Sequence, residues 1–283
     1  MVSIKALRRS AAEKLQENGN KSSLADVDFL LRYLLKFSKS DIVLGDKILD
    51  PAQIEIFEKA LERLLEGEPV QYVVGGCEFM SLWFEVTSDT LIPRADTEIL
   101  VEKVMELCGN LDEVSIFEIG SGSGCVAVSL AYYLLGARVL SVDISEGAVR
   151  VANKNARDLG VDDRCRFEIC DVMRGFPVFE ELPKVVVSNP PYIPKRDIES
   201  LEKKVKSFEP LTALEGGEDG LDFYRLITSQ VPICEGGILA FEVGIGQAHE
   251  VSEIMRQRFC DIEIIRDLSG IERVVVGRCK QAL

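Results

Sequence analysis

From Val114 onward the chain alternates between two hydrophobic rhythms. Short apolar runs rich in β-branched residues, "VSIFEIG", "RVLSVDIS", "CRFEICDV", "KVVVSNPP" and "GGILAFEVG", predict strands. Between them, "GCVAVSLAYYLLG", "EGAVRVANKNARDLG", "LDFYRLITSQVPIC" and the stretch from Gln247 to Phe259 predict helices. Strands taking turns with helices imply an α/β fold, with a mostly parallel sheet covered on both faces. The last two strands, "DIEIIRDL" and "ERVVVGR", are separated only by the region of Ser269-Gly270. That is too short for a parallel crossover, so they should pair antiparallel.

The first 70 residues read differently. "MVSIKALRRSAAEKLQENG" is a polar amphipathic helix. "SLADVDFLLRYLLKF" opens on a cap-like Ser23 and places Leu24, Val27, Leu30, Leu31, Leu34 and Leu35 on one broad face. "DPAQIEIFEKALERLLEGEP" has Asp50 as N-cap, Pro51 at the first helical position, and a stripe of Ile54, Phe57, Leu61, Leu64 and Leu65. "VQYVVGGCEFMSLWFEVTSDTLIPR" then turns β-branched and aromatic, and predicts a hairpin or short strands. A helix from Ala95 to Leu107 follows. The expected division is a helical domain over 1–72, a β-hairpin linker over 73–94 and a catalytic domain over 95–283.

Composition narrows the class. Of 283 residues 47% are hydrophobic and 28% charged, a balance that supplies a core. No apolar run reaches the length of about 18 residues that a membrane helix needs, and the N-terminus lacks the apolar centre of a signal peptide. A cytoplasmic protein with no membrane partner is expected. The net charge of −14 repels polyanions. The cluster Lys184, Lys195, Arg196, Lys203, Lys204 and Lys206 is diluted by Glu199, Glu202 and Glu209, so it reads as a solvated helix face and no nucleic-acid partner is expected. The eight cysteines form no C-x-x-C pair and read as buried thiols, with no metal site. The single histidine, His249, gives little support to a histidine-centred mechanism.

The candidate chemistry lies at strand ends. "FEIGSGSG" puts Gly120, Gly122 and Gly124, with Ser121 and Ser123, between a strand and a helix, and Glu118 just before them. Glycines there let a backbone approach a ligand closely. The third glycine comes one residue earlier than in the dinucleotide fingerprint, which suits a ligand without a pyrophosphate. The next strand ends in Asp143, placed to accept from ribose hydroxyls; the third ends in Asp171, placed for an adenine amino group, and Val172 for its ring. The fourth runs into "SNPPY". There the Asn189 side-chain oxygen and the Pro190 carbonyl could accept both N–H groups of a planar amino nitrogen. Pro190 and Pro191 stiffen the corner and Tyr192 supplies a flat surface. These residues leave open whether the acceptor is a nucleic-acid base or an amide.

Further blocks carry a resemblance. "GEPVQYVVGGCEFMSLWFEV", "LIPRADTEILVE", "FEPLTALEGGEDGLDFYR" and "FEVGIGQ", with the NPPY motif, resemble the release-factor glutamine methyltransferases, the PrmC/HemK family. The resemblance implies a Rossmann-like class I methyltransferase fold with a seven-stranded sheet, S-adenosylmethionine as cofactor and S-adenosylhomocysteine as product. It implies methylation of N5 of the glutamine in the Gly-Gly-Gln motif of peptide-chain release factors; a monomer is expected. It places cofactor contacts on Gly120 to Gly124, Asp143 and Val172, to which the reading of the strand ends adds Glu118, Asp171 and Asn189. Catalysis falls on Asn189, Pro190 and Tyr192, and acceptor binding on these with Pro191. Glutamine methylation of a ribosomal protein and N6 methylation of nucleic-acid adenine are the alternatives. Two positions depart from the family pattern: Ala95 stands where it has proline, and Val172 where many members have an aromatic ring.

Overall fold

A computed structural model describes residues 2–109 and 111–282, apart from the side chain of Lys203. The outermost bounds of the expected domains, 1 and 283, and the Lys203 side chain of the basic cluster lie outside the described residues. The chain forms two compact units, Met1–Gly76 with Lys203–Phe208, and Cys77–Glu202 with Glu209–Leu283.

The first unit holds β1 (Val2–Ser3), α1 (Ile4–Glu17), α2 (Ser23–Phe29), a π-helical turn over Leu30–Leu34, α3 (Lys39–Leu44), β2 (Ile48–Leu49), α4 (Pro51–Leu65) and α5 (Val70–Val74). Local chemistry sets the ends. The Asp50 carboxylate accepts from the Gln53 N–H at 2.8 Å, Gln53 answers to the Asp50 N–H at 3.1 Å, and Pro51 occupies the first turn. Ile4, Leu15, Val27, Leu30, Leu31, Phe57, Leu61 and Leu64 make the core. Two expectations need correction. Leu24, the second residue of α2, is 47% exposed and lies outside the face that Val27, Leu30 and Leu31 bury. "VQYVV" is helical, opened by Pro69 and closed by Gly75 in the left-handed region. Burial of Val70 and Val73 in this core outweighs their β-branched preference. Lys204 of the basic cluster pairs with Asp26 at 3.5 Å.

The second unit begins with the hairpin β3 (Gly76–Phe79) and β4 (Leu82–Glu85). Its turn falls on Met80 and Ser81, both with positive φ. Phe79, Leu82 and Phe84 are buried in the same core as the main sheet. The alternating part follows as α6 (Ala95–Cys108), β5 (Val114–Ile119), α7 (Cys125–Tyr133), β6 (Ala137–Asp143), α8 (Glu146–Asp158), β7 (Cys165–Ile169), β8 (Val185–Ser188), α9 (Lys203–Phe208, counted with the first unit), α10 (Asp222–Gln230), β9 (Ile238–Glu242), α11 (Ala248–Met255), β10 (Phe259–Arg266) and β11 (Glu272–Cys279). The seven-stranded sheet has the order β10-β11-β9-β8-β5-β6-β7, and β11 runs antiparallel to both neighbours.

The period of two divides each strand between the two faces. Ile116, Val139, Val185 and Val187 pack with α6, α7 and α8, while Phe117, Val142, Val186 and Phe241 pack with α10 and α11. The parallel register pairs Ile119 with Val142 and Ser188, and Ser188 with Phe241. The strands therefore end together, and the residues just beyond them share one edge. No helix among the described residues is long and apolar enough to cross a membrane.

Candidate active site

That edge holds a cavity of about 430 Å³, within the range of about 300–1,000 Å³ typical of small-molecule sites. All its lining residues belong to the second unit. Along one side runs the glycine loop. The N–H groups of Gly120 and Ser121 both donate to the Val142 carbonyl, at 2.8 and 3.1 Å, which pins the loop to β6. Gly120, Gly122 and Gly124 have φ of +88°, +51° and +80°. At Gly124 a Cβ would also come within 3.0 Å of the Ala152 Cβ, so glycine lets α7 start close against α8.

Behind the loop Glu118 is buried, and the Ser141 hydroxyl donates to it. Ser121 and Ser141 share a hydrogen bond of 2.7 Å. Burial pushes the Glu118 carboxyl up to about 8, the Ser141 bond opposes this, and the charge of Asp143 adds to it. Burial thus disfavours a full negative charge on Glu118 in the cavity wall.

Asp143 closes β6. Its oxygens accept from the N–H groups of Gly122 and Ser145, each at 2.9 Å, which aims the carboxylate while leaving lone pairs for further donors. Burial raises its proton affinity and the backbone N–H bonds oppose that. Asp171 accepts from the Met173 N–H at 3.1 Å in the turn after β7. Val172 is buried in the cavity wall beside it. A fixed carboxylate, glycine backbone and an apolar wall form a donor and contact set that fits S-adenosylmethionine: hydroxyls for Asp143, a flat ring for Val172 and Ile144, and a short polar tail for the loop.

Across the cavity stands the corner after β8. Asn189 Nδ2 donates to Thr97 Oγ1 at 3.2 Å, and Ser188 Oγ donates to the Ile119 carbonyl at 2.7 Å. Downstream, the Tyr192 carbonyl accepts from Gln247 Nε2 at 3.0 Å, and Ile193 bonds the 214–216 segment through both its N–H and its carbonyl. The blocks "GGEDG" and "FEVGIGQ" therefore brace the NPPY corner. Arg94 and Glu209 form an ion pair of 2.5 Å beside Pro93 and Pro210, which both line the cavity. Ala95 is the first residue of α6, after Arg94 as N-cap. The missing proline thus affects a position where proline helps but is not needed.

Of the residues expected from sequence, Glu118, Gly120, Ser121, Gly122, Ser123, Asp143, Asp171, Val172, Asn189, Pro190 and Pro191 line this cavity. Gly124 and Tyr192 are not among the lining residues. Gly124 is turned into the contact with Ala152, and Tyr192 packs against the apolar cluster on the α10–α11 face. Burial pushes the Tyr192 phenol up to about 12, so it stays protonated. Sequence reasoning missed Thr97, Arg94, Glu209, Glu242 and Gln247. Their signal was the blocks "RADTE", "FEPL" and "FEVGIGQ", whose purpose is visible only once the chain is folded.

Residues 6–75 match a family model described as the PrmC N-terminal domain, and residues 110–215 match a methyltransferase domain. A release factor glutamine methyltransferase of Geobacter sulfurreducens is 39% identical over 268 residues, spanning 93% of this chain and 92% of that protein. One from Rhodospirillum rubrum is 38% identical over 278 residues, spanning 96% and 83%. Among solved structures, the hMettl16 catalytic domain in complex with MAT2A 3′UTR hairpin 1 is similar with a TM-score of 0.56 at 13% identity, over 85% of this chain and 87% of that one. That likeness speaks for the fold alone.

Proposed function

We propose, from the premise that the chain belongs to the release factor glutamine methyltransferase family, that it methylates the side-chain amide nitrogen of the Gly-Gly-Gln glutamine in peptide-chain release factors. The carrying observation is that Asn189 and Pro190 stand on the wall of the same cavity that the glycine loop and Asp143 line. S-adenosylmethionine, when bound, supplies an electrophilic methyl group on a sulfonium centre.

The chain's own residues hold and aim. An amide nitrogen shares its lone pair with its carbonyl and is a poor nucleophile. The Asn189 side-chain oxygen and the Pro190 carbonyl accept its two N–H groups, fix its direction and favour a pyramidal nitrogen. Pro190 and Pro191 fix the backbone that carries these two acceptors. Tyr192 anchors the corner through its packing and through the bond from Gln247 to its carbonyl. Asp143 holds the ribose hydroxyls, Asp171 and Val172 the adenine, and the 120–124 loop with Glu118 the amino-acid end. Catalysis is then mainly alignment. The helical unit grips the release factor, since a lone glutamine side chain offers little to select. The protein works as a cytoplasmic monomer without nucleic acid.

Incubation with methyl-labelled cofactor and a release factor, followed by peptide mass spectrometry, tests this. Label on the Gly-Gly-Gln glutamine is expected. Its absence, or label on ribosomal protein or RNA instead, overturns the reading. Deleting residues 1–70 without loss of release-factor methylation would remove the role given to the helical unit.

A further inference from the structure

β8 and β9 are parallel neighbours, with Ser188 level with Phe241. The next residues out are Asn189 and Glu242, side by side at the catalytic edge. Thr97, in the first turn of α6, meets them there: it accepts from Asn189 Nδ2 at 3.2 Å and lines the cavity with it. Glu242 is 3% exposed and is not itself among the lining residues. We propose that Glu242 and Thr97 are positioning residues, which take up the NH₂ end of the Asn189 amide so that only its carbonyl oxygen faces the acceptor. This rests on the glutamine-methylation reading and deepens it.

The chemistry demands such a device. A side-chain amide rotated by half a turn about its last bond presents donors where acceptors stood, at almost unchanged shape. An Asn189 that offered NH₂ to the substrate nitrogen would face donor to donor. An ionised carboxylate can only accept, so Glu242 behind Asn189 selects one orientation. Its burial is otherwise unfavourable: Oε2 has no hydrogen-bond partner among the described residues, and an unsatisfied buried acceptor costs stability. Such groups concentrate where function requires them.

The groups around Glu242 come from every neighbouring element. Asp96 and Thr97 lie on α6, Asn189 and Tyr192 beyond β8, Arg273 on β11, Tyr224 on α10 and Cys125 on α7. Arg273 is also engaged by Asp96 at 2.9 Å and Asp267 at 3.0 Å, so its charge is shared. The Tyr224 hydroxyl donates to the Glu242 backbone carbonyl at 2.9 Å. Burial pushes the Glu242 carboxyl up to about 7, hydrogen bonding from Thr97 and Asn189 and the charge of Arg273 hold it down, and Asp96 raises it further. Once protonated, Glu242 becomes a donor able to satisfy the Asn189 oxygen, and the selection is lost.

The test is the pH profile of Glu242→Gln. In the unaltered protein, kcat for release-factor methylation is expected to fall toward acid pH with an inflection near 7. The variant should lose that inflection and run about 10²-fold lower at pH 8, the scale of a misaligned acceptor, with S-adenosylhomocysteine affinity kept. Thr97→Val should lower kcat in the same way and Thr97→Ser should recover most of it. An unchanged acid limb in Glu242→Gln, or a matching loss of S-adenosylhomocysteine binding, overturns the proposal. A readout independent of turnover is the NMR titration of the Asn189 side-chain NH₂. It should shift with the Glu242 titration in the free protein and not in Glu242→Gln. Absence of that shift overturns the proposal whether or not release factor is methylated. The shift without release-factor methylation upholds the orientation and overturns the substrate reading alone.

Discussion

Gly220→Ala offers a sharp test of how the NPPY corner is held. Gly220 has φ of +80°, and a Cβ there would stand 2.3 Å from the Tyr192 carbonyl oxygen and 2.8 Å from Gln247 Nε2. Those two atoms hydrogen-bond each other at 3.0 Å, so the methyl group lands on the brace of the corner. Ordinary contact begins near 3.4 Å, so the Tyr192 carbonyl has to retreat by about 1 Å. The left-handed backbone costs about 1–2 kcal/mol for a residue with a Cβ. A shift of about 1 Å in an aligning group lowers turnover by about 10²-fold. Gly270→Ala is the matched control: its φ is +82°, and no heavy atom lies within 4 Å of the added carbon. It should suffer the same backbone penalty and keep its kcat. Methyl transfer to release factor at saturating substrates, thermal unfolding and S-adenosylhomocysteine calorimetry together separate the two effects. If Gly220→Ala retains kcat, or loses no more than Gly270→Ala, the brace does not position the acceptor site.

Other expectations follow from the same geometry. Asn189→Ala should abolish turnover with only a modest change in cofactor affinity, whereas Asp143→Ala should chiefly weaken the cofactor; equal losses of cofactor binding by calorimetry would contradict these separate roles. Phe57→Ala removes a fully buried ring from the core of the first unit and should cost about 3–5 kcal/mol in urea unfolding of that unit. Its S-adenosylhomocysteine affinity should stay unchanged, because every cavity-lining residue lies in the second unit. Glu118 and Glu242, raised from an ordinary 4.5 to about 8 and about 7, keep protons in the folded apo protein that the unfolded chain has released. Their stabilising contribution is therefore complete below about pH 4.5 and is lost as pH rises through the folded values, with a slope of at most about 1.4 kcal/mol per pH unit for each group. Glu118→Gln should flatten the decline between pH 5 and 8 in chemical denaturation, and an unaltered slope would refute the assigned titration.

The alternation of strands and helices, the glycine loop and the proline-stopped β8 were legible because they are local. β-Branched runs and amphipathic stripes show their period within one segment, and glycine or proline reports a backbone requirement at its own position. Parallel strands ending at one edge then follow from the alternation, which is why Gly120, Asp143 and Asn189 could be assigned to a common site before their distances were known. The same locality misled at "VQYVV", where Pro69, Gly75 and a core that buries Val70 and Val73 make a helix from residues that favour strands.

Which side chains meet across the sheet was decided only by the tertiary structure. Thr97, Asn189 and Glu242 are 92 and 53 positions apart in the chain, and no spacing rule connects them. Strand order puts β9 beside β8, and the start of α6 comes over both ends. The chain alone supplied an asparagine at a rigid corner. The fold supplied the carboxylate and hydroxyl that tell its oxygen from its nitrogen, because that distinction depends on neighbours in space and on burial, neither of which a linear pattern records.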